Sequence, residues 1–265
     1  MTATMDPVRA GLPARAAALV YGTLAYAAFL AVFLYAIAFV EDARLSIGQV
    51  TLVARTVDHG GTVGPAATAL VVDALFLTLF AVQHSVMARP GFKRWWTRLV
   101  PAPVERSTYV LLATACLAVL MAFWRPLPGI VWDVPDGIIR PALIGVSLAG
   151  WLIVLSSTFL INHLDLFGLR QVIAHAQGRR LPSYRFGTPL WYALVRHPIY
   201  LGFLLAFWAA PTMTVGHLVF AVATTGYVLV GIQLEERDLV HAFGDEYRAY
   251  RRRVPMLIPG ARRRA

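Results

Sequence analysis

Apolar residues run along this chain in long unbroken blocks, not in the short periods of half-buried helices or strands. Four blocks, at about 16–40, 66–88, 106–124 and 138–161, approach or exceed the roughly 20 residues a helix needs to cross a bilayer core. A fifth apolar region runs from about 191 to 235 and is broken by "AAPTMTVG", where Pro211 lacks a backbone donor and ends a helix. That break predicts a hairpin with arms at about 191–211 and 213–235. The expected fold is an all-α polytopic membrane helix bundle of about five transmembrane helices. It ends in the C-terminal helical hairpin and a cytoplasmic C-terminal helix, all within a single domain over 1–265. The first block is too long for the core of a signal peptide and reads as a true span.

Composition supports a membrane protein. Hydrophobic residues make up 58% of the 265 and charged residues only 14%, against about 25% charged in an average soluble domain. The net charge of +10 changes the picture, since it fits either nucleic acid or anionic lipid. The basic residues, arginine but for Lys93, gather between apolar runs, and no nucleic-acid motif is present. Membrane lipid is therefore the expected partner, and no nucleic acid is expected. The lone cysteine, Cys116, lies in an apolar run and is expected to be a small buried hydrophobe.

Charge also sets direction. The N-terminal tail carries two basic residues, Arg9 and Arg15, segments 89–106 and 162–197 carry five each, and the chain from 236 onward carries eight. The loops at 41–65 and 125–140 carry two each. The positive-inside rule then places both termini and the two rich segments in the cytoplasm. The run "ARRRA" at the C-terminus reads as a solvated or lipid-facing tail.

Ionisable groups at membrane depth are costly and are functional candidates by default. His59 and His217 fall toward the outer face. His84 lies at the inner end of the second span, His163 and Asp165 follow the fourth, His197 opens the hairpin, and Glu235 with Glu236 closes it. All of these fall at one level, the cytoplasmic end. In "LVRHPIYLG" the arm counted from Pro198 is too short to cross the bilayer, which places Arg196, His197 and Pro198 inside the inner leaflet. Broken backbone at that depth is tolerated beside protein or a polar cavity, so the stretch reads as the wall of a polar pocket. The alternative is an Arg196 that snorkels to the headgroups. Beyond the glutamates, Glu236, Leu239, Val240 and Phe243 share one helical face. Gly244 is a natural stop, and Tyr247, Tyr250 and Val254 share a further face.

The order Arg196-His197-Pro198-x-Tyr200-x-Gly202, then Glu235-Glu236-x-x-Leu239 through Phe243, Gly244, Tyr247 and Tyr250, then Val254-Pro255 and Ile258-Pro259, resembles the membrane methyltransferases of the isoprenylcysteine carboxyl methyltransferase type. That group includes the phospholipid N-methyltransferases and the NnrU-like proteins. The resemblance covers about the last 75 residues. Upstream, where the family often has Gly-Pro-Tyr, only Tyr192 matches; Leu190 and Trp191 do not. The stretches "HSVMARPGFKRWWTRLVPAPVERSTYVL" and "SSTFLINHLDLFGLRQV" are similar to one branch, the bacterial methanethiol S-methyltransferases. The resemblance implies an integral protein of the bacterial cytoplasmic membrane that methylates a small thiol with S-adenosylmethionine, converting methanethiol to dimethyl sulfide. It places the donor-binding part at about 187–260, with Tyr192, Arg196, His197, Pro198, Tyr200, Gly202, Glu235 and Glu236 as donor-site residues. Two other readings stay open: methylation of an isoprenylcysteine or lipid headgroup, and a non-catalytic NnrU-like accessory protein.

The chemistry of the donor suits these residue types. Its carboxylate needs a cationic or hydrogen-bonding group, for which Arg196 or His197 serves. Its ammonium needs an acid, Glu235 or Glu236, and its sulfonium an aromatic face such as Tyr200. A thiol attacks well only as the thiolate, so a base is useful. His163 with Asp165, or His84, is the candidate, each also readable as an interfacial anchor or helix cap. Asp73 lies too far along its helix from His84 to join it and is expected to bond a neighbouring span. The "NHLD" spacing lacks an evident third ligand, and no metal is expected.

Overall fold

The computed structural model describes residues 11–48, 50–182 and 186–260. Arg9, Arg185 and the tail arginines Arg262 to Arg264, all used in the charge count, lie outside the described residues. The elements in chain order are α1 (Leu12–Val40), β1 (Ser46–Ile47), β2 (Val50–Thr51), α2 (Ala66–Ala88), α3 (Pro90–Trp96), α4 (Ala102–Phe123), β3 (Ile130–Asp133) and α5 (Ile139–Ile161). They continue with α6 (His163–Leu166), α7 (Leu169–Ala176), α8 (Trp191–Leu194), α9 (Pro198–Trp208), β4 (Thr212–Thr214), α10 (Val215–Phe243) and α11 (Asp245–Arg253).

Five of the described helices, α1, α2, α4, α5 and α10, are long and apolar enough to cross a membrane. Between 11% and 33% of the most apolar stretch of each is buried within the protein. Leu24, Leu34, Val71, Leu75, Leu152, Phe159 and Val230 all point outward. In water such faces would be unstable, so lipid is their solvent. The protein is an integral membrane helix bundle.

Packing divides the chain into two compact units. The first holds α1 to α4 with α6 and α7. Prolines set its helix boundaries: Arg89 is extended because Pro90 follows it, and Pro90 opens α3. Gly22 of α1 lets Val172 of α7 approach so closely that a Cβ there would stand 2.6 Å from the valine methyl. Met87, Tyr109 and Val110 form a core packed by Phe29, Phe92, Trp96 and Phe167. Asp73 is fully buried on α2 and accepts from the Arg125 N–H at 2.9 Å, just beyond the end of α4. The expected bond to a neighbouring span is made instead to the backbone just past that span's end.

The second unit holds β3, α5 and α8 to α11. Helices α5 and α9 touch backbone to backbone at Gly150 and Gly202, where a Cβ on either would fall 2.5 Å from the other's carbonyl oxygen. Small residues permit this approach where lipid offers no hydrophobic drive for helix association. Ser147 Oγ seals it with a 3.0 Å bond to the Ala206 carbonyl. Beyond Pro211, β4 pairs antiparallel with β3. Thr214 then caps α10 by accepting from the His217 N–H at 3.0 Å.

The hairpin differs from its predicted form in two ways. Its first arm is not one helix from 191: α8 stops at Leu194, and α9 begins at Pro198 and has 11 residues, a rise of about 16 Å. Its second arm does not end at the glutamates. Helix α10 continues two turns past them to Gly244, whose φ of 56° suits glycine.

Candidate functional site

The three residues between α8 and α9 have extended or irregular backbone, because Pro198 cannot continue a helix through them. Their amides are not left bare. Arg196 N–H donates to the Pro255 carbonyl at 2.9 Å and His197 N–H to that of Met256 at 3.2 Å. The break in the arm and the Val-Pro segment after α11 are thus bonded main chain to main chain, two parts of the sequence motif joined by backbone.

Glu236 sits at the centre of this junction and is 4% exposed. Its Oε1 accepts from Arg196 Nε at 2.6 Å and lies 3.2 Å from His197 Nε2. Its Oε2 is 3.1 Å from Arg251 Nε. Arg196 also donates through Nη1 to the carbonyls of Val254, at 2.6 Å, and Arg251, at 3.3 Å. A buried carboxylate is stable only when paired and hydrogen-bonded in this way. Glu235, one residue earlier, has a side chain 42% exposed and stands 3.7 Å from His197 Nδ1. The two glutamates, equivalent in the sequence, are therefore different groups: one cross-links the junction, the other faces outward from it.

Aromatic rings enclose the cluster. Tyr200 lies with its ring 5.6 Å from that of His197. The Tyr250 hydroxyl donates to the Tyr192 carbonyl at 2.6 Å, and Phe186 packs on Tyr247 and Tyr250. Burial pushes the Tyr250 phenol up to about 12. An open hollow of about 250 Å³ adjoins Glu236 and Arg251, lined also by Gln233, Arg237, Val240 and His241. Pro198 opens α9 directly after the junction, and Gly202 lies one turn further on, at the α5–α9 contact.

His84, His163 and Asp165 belong to the first unit. The chain breaks after α5, Asn162 caps α6 by accepting from the Asp165 N–H, and His163 is buried. Its Nε2 lies 2.8 Å from the Tyr26 hydroxyl, and its ring lies 4.8 Å from that of Phe167. Burial holds the His163 imidazole below its ordinary value, so the neutral form is favoured. Asp165 is held by Gln171, which donates to its Oδ1 at 3.1 Å, with Arg170 at 3.8 Å. The Tyr109 hydroxyl lies 3.0 Å from His84 Nε2, and the Arg106 guanidinium sits 5.0 Å over the Tyr109 ring.

Sequence reasoning missed Arg251, Tyr26 and Tyr109. Arg251 is hidden in a run of three arginines that reads as a solvated face. Tyr26 lies in the middle of an apolar block, 137 positions from the histidine it meets. Among the described residues, no three His, Cys, Asp or Glu side chains stand close enough together to hold a metal ion.

No family model matches the chain, and no solved structure matches it. Among curated proteins, methanethiol S-methyltransferase 1 of Bradyrhizobium diazoefficiens is 54% identical over 245 residues, covering 92% of this chain and 83% of that protein. The methanethiol S-methyltransferase of Mycobacterium tuberculosis is 53% identical over 241 residues, 91% of this chain and 95% of that protein. Nurim of Xenopus laevis is 32% identical over 178 residues, 64% of this chain and 62% of that protein.

Proposed function

The chain belongs to the methanethiol S-methyltransferase family, and we propose that it moves a methyl group from S-adenosylmethionine to the sulfur of methanethiol, releasing dimethyl sulfide. The observation that carries this reading is the likeness of more than 90% of the chain to proteins of that name. The geometry of the second unit supports the donor: a cross-linked charge cluster, an outward-facing acid and aromatic rings meet at one junction.

Within that reading Glu236, Arg196, His197 and Arg251 build the rigid wall, because they are already bound to one another. Glu235 is left to take the donor's ammonium, and Tyr200 offers a face to the sulfonium or the adenine. S-adenosylmethionine supplies an electrophilic methyl group. The thiol loses its proton to a base as its sulfur bonds to the methyl carbon and the donor's carbon–sulfur bond breaks, and His163, neutral because it is buried, is the candidate for that base. Asp165 and Gln171 brace the short helix that carries His163, and His84, paired with Tyr109, is the alternative base.

The arginine distribution supports a cytoplasmic-membrane location with both termini inside. Protease should reach tags at either end in inside-out vesicles, and protection of one end alone would overturn that topology. The activity is tested with purified protein, S-adenosylmethionine and methanethiol, reading dimethyl sulfide by gas chromatography. Product that scales with enzyme is expected; no product at any pH would overturn the proposal.

A further inference from the structure

Two phenol hydroxyls beside the charge cluster, those of Tyr192 and Tyr247, are buried and have no hydrogen-bond partner among the described residues. Tyr247 is 2% exposed. A hydroxyl removed from water without a new partner loses its hydration and gains nothing, so native structures rarely leave one so. Tyr250, on the same short helix as Tyr247, shows the ordinary outcome: its hydroxyl is satisfied by the Tyr192 carbonyl. The Tyr247 ring is nonetheless firmly held, edge-on to Phe186 at 5.8 Å and 5.7 Å from Tyr250. Its hydroxyl is thus fixed in place before any partner arrives.

Both hydroxyls lie in the field of Glu235, and that of Tyr247 also in the fields of Glu236 and Arg196. Burial first, and these acids second, push both phenols above the ordinary tyrosine value. They remain protonated, and so able to donate, throughout the neutral range. The cationic groups of the cluster itself are engaged within it. Arg196 Nε and Arg251 Nε hold the two oxygens of Glu236, Arg196 Nη1 holds main-chain carbonyls, and His197 Nε2 meets Glu236. Turning Arg196 Nε or His197 Nε2 toward a ligand would break contacts within the buried cluster.

We propose that Tyr192 and Tyr247 donate hydrogen bonds to the carboxylate of the methyl donor's amino-acid end, next to the ammonium held by Glu235. This rests on the S-adenosylmethionine reading above and replaces Arg196 or His197 as the carboxylate's partner. The arrangement suits a zwitterion. The neutral phenols accommodate the carboxylate and the outward-facing Glu235 accommodates the ammonium, so the bonds to Glu236 stay intact. Bonds from O–H to a carboxylate are short and strong.

The test is calorimetry on the full-length protein with Tyr192→Phe and Tyr247→Phe, which keep the rings and their packing. S-adenosylhomocysteine carries the amino-acid end; 5′-methylthioadenosine lacks it. Each variant is expected to bind S-adenosylhomocysteine roughly tenfold more weakly and 5′-methylthioadenosine as well as the unsubstituted protein does. Unchanged S-adenosylhomocysteine affinity in either variant would overturn the two-point contact. A parallel loss for both ligands would overturn it too, by marking a merely structural role. Unsubstituted protein that binds neither ligand would instead overturn the donor reading itself, and this inference with it.

Discussion

The charge cluster of the second unit and the histidine sites of the first are both buried and polar, yet they are built on opposite principles. Around Glu236, two arginines and a histidine converge on one carboxylate, and main-chain carbonyls take up further arginine donors. Around His163 and His84 the contacts are imidazole to phenol, set among Phe29, Phe167 and Met87. The first arrangement gives stiffness, because each charge is needed by its neighbours. The second sets each imidazole against a phenol hydroxyl instead of a charge. A cationic, zwitterionic donor calls for the former; an uncharged small thiol that must lose a proton calls for the latter.

The comparison breaks first at Glu236. In Glu236→Ala the guanidinium of Arg196 stays buried without its carboxylate, and the loss of one partner of a buried pair costs about 3–5 kcal/mol. Thermal melting in detergent should fall sharply and donor affinity with it. A variant that melts normally would mean that the cluster is not the rigid element described.

His163→Ala should do the reverse. Turnover is expected to fall by on the order of 10²–10⁴-fold, the usual cost of losing a general base, with donor affinity kept. Because burial lowers the His163 value, the neutral base persists to lower pH than for a free imidazole of about 6.5. Activity of the unsubstituted protein should therefore hold through neutrality and fail only as pH drops through that lowered value. The defect of the alanine variant should shrink at high pH, where solvent ionises the thiol. A defect that stays constant would assign His163 to substrate positioning.

A sharper contrast lies between the adjacent glutamates. Glu235→Gln, half exposed, should weaken donor binding about tenfold, as for a charged hydrogen bond, and leave the melting temperature unchanged. Equal behaviour of the Glu235 and Glu236 variants would erase the division of roles. The smallest effect is expected for Tyr26→Phe, which keeps the ring beside Phe167 and removes only the hydroxyl bonded to His163. A severalfold drop in turnover, with the acid limb of the pH profile shifted, would mark a positioning residue. A drop without that shift would mark packing alone.

Much of this protein was legible without coordinates. Block length and the absence of charge decide membrane spans locally, since a helix of about 20 apolar residues satisfies its own backbone and needs only lipid around it. The blocks at 66–88 and 138–161 accordingly match α2 and α5 almost to the residue. The break at Pro198 was legible too, because proline's missing donor is a property of one residue. Tertiary structure alone decided which of two neighbouring glutamates is locked and which is exposed, since successive helical positions point about 100° apart. It also decided that the tail's carbonyls satisfy the broken backbone, that Arg251 leaves its basic run to reach Glu236, and that Tyr26 meets His163. Those pairings join residues on separate elements, and nothing in the local pattern of either partner encodes the other.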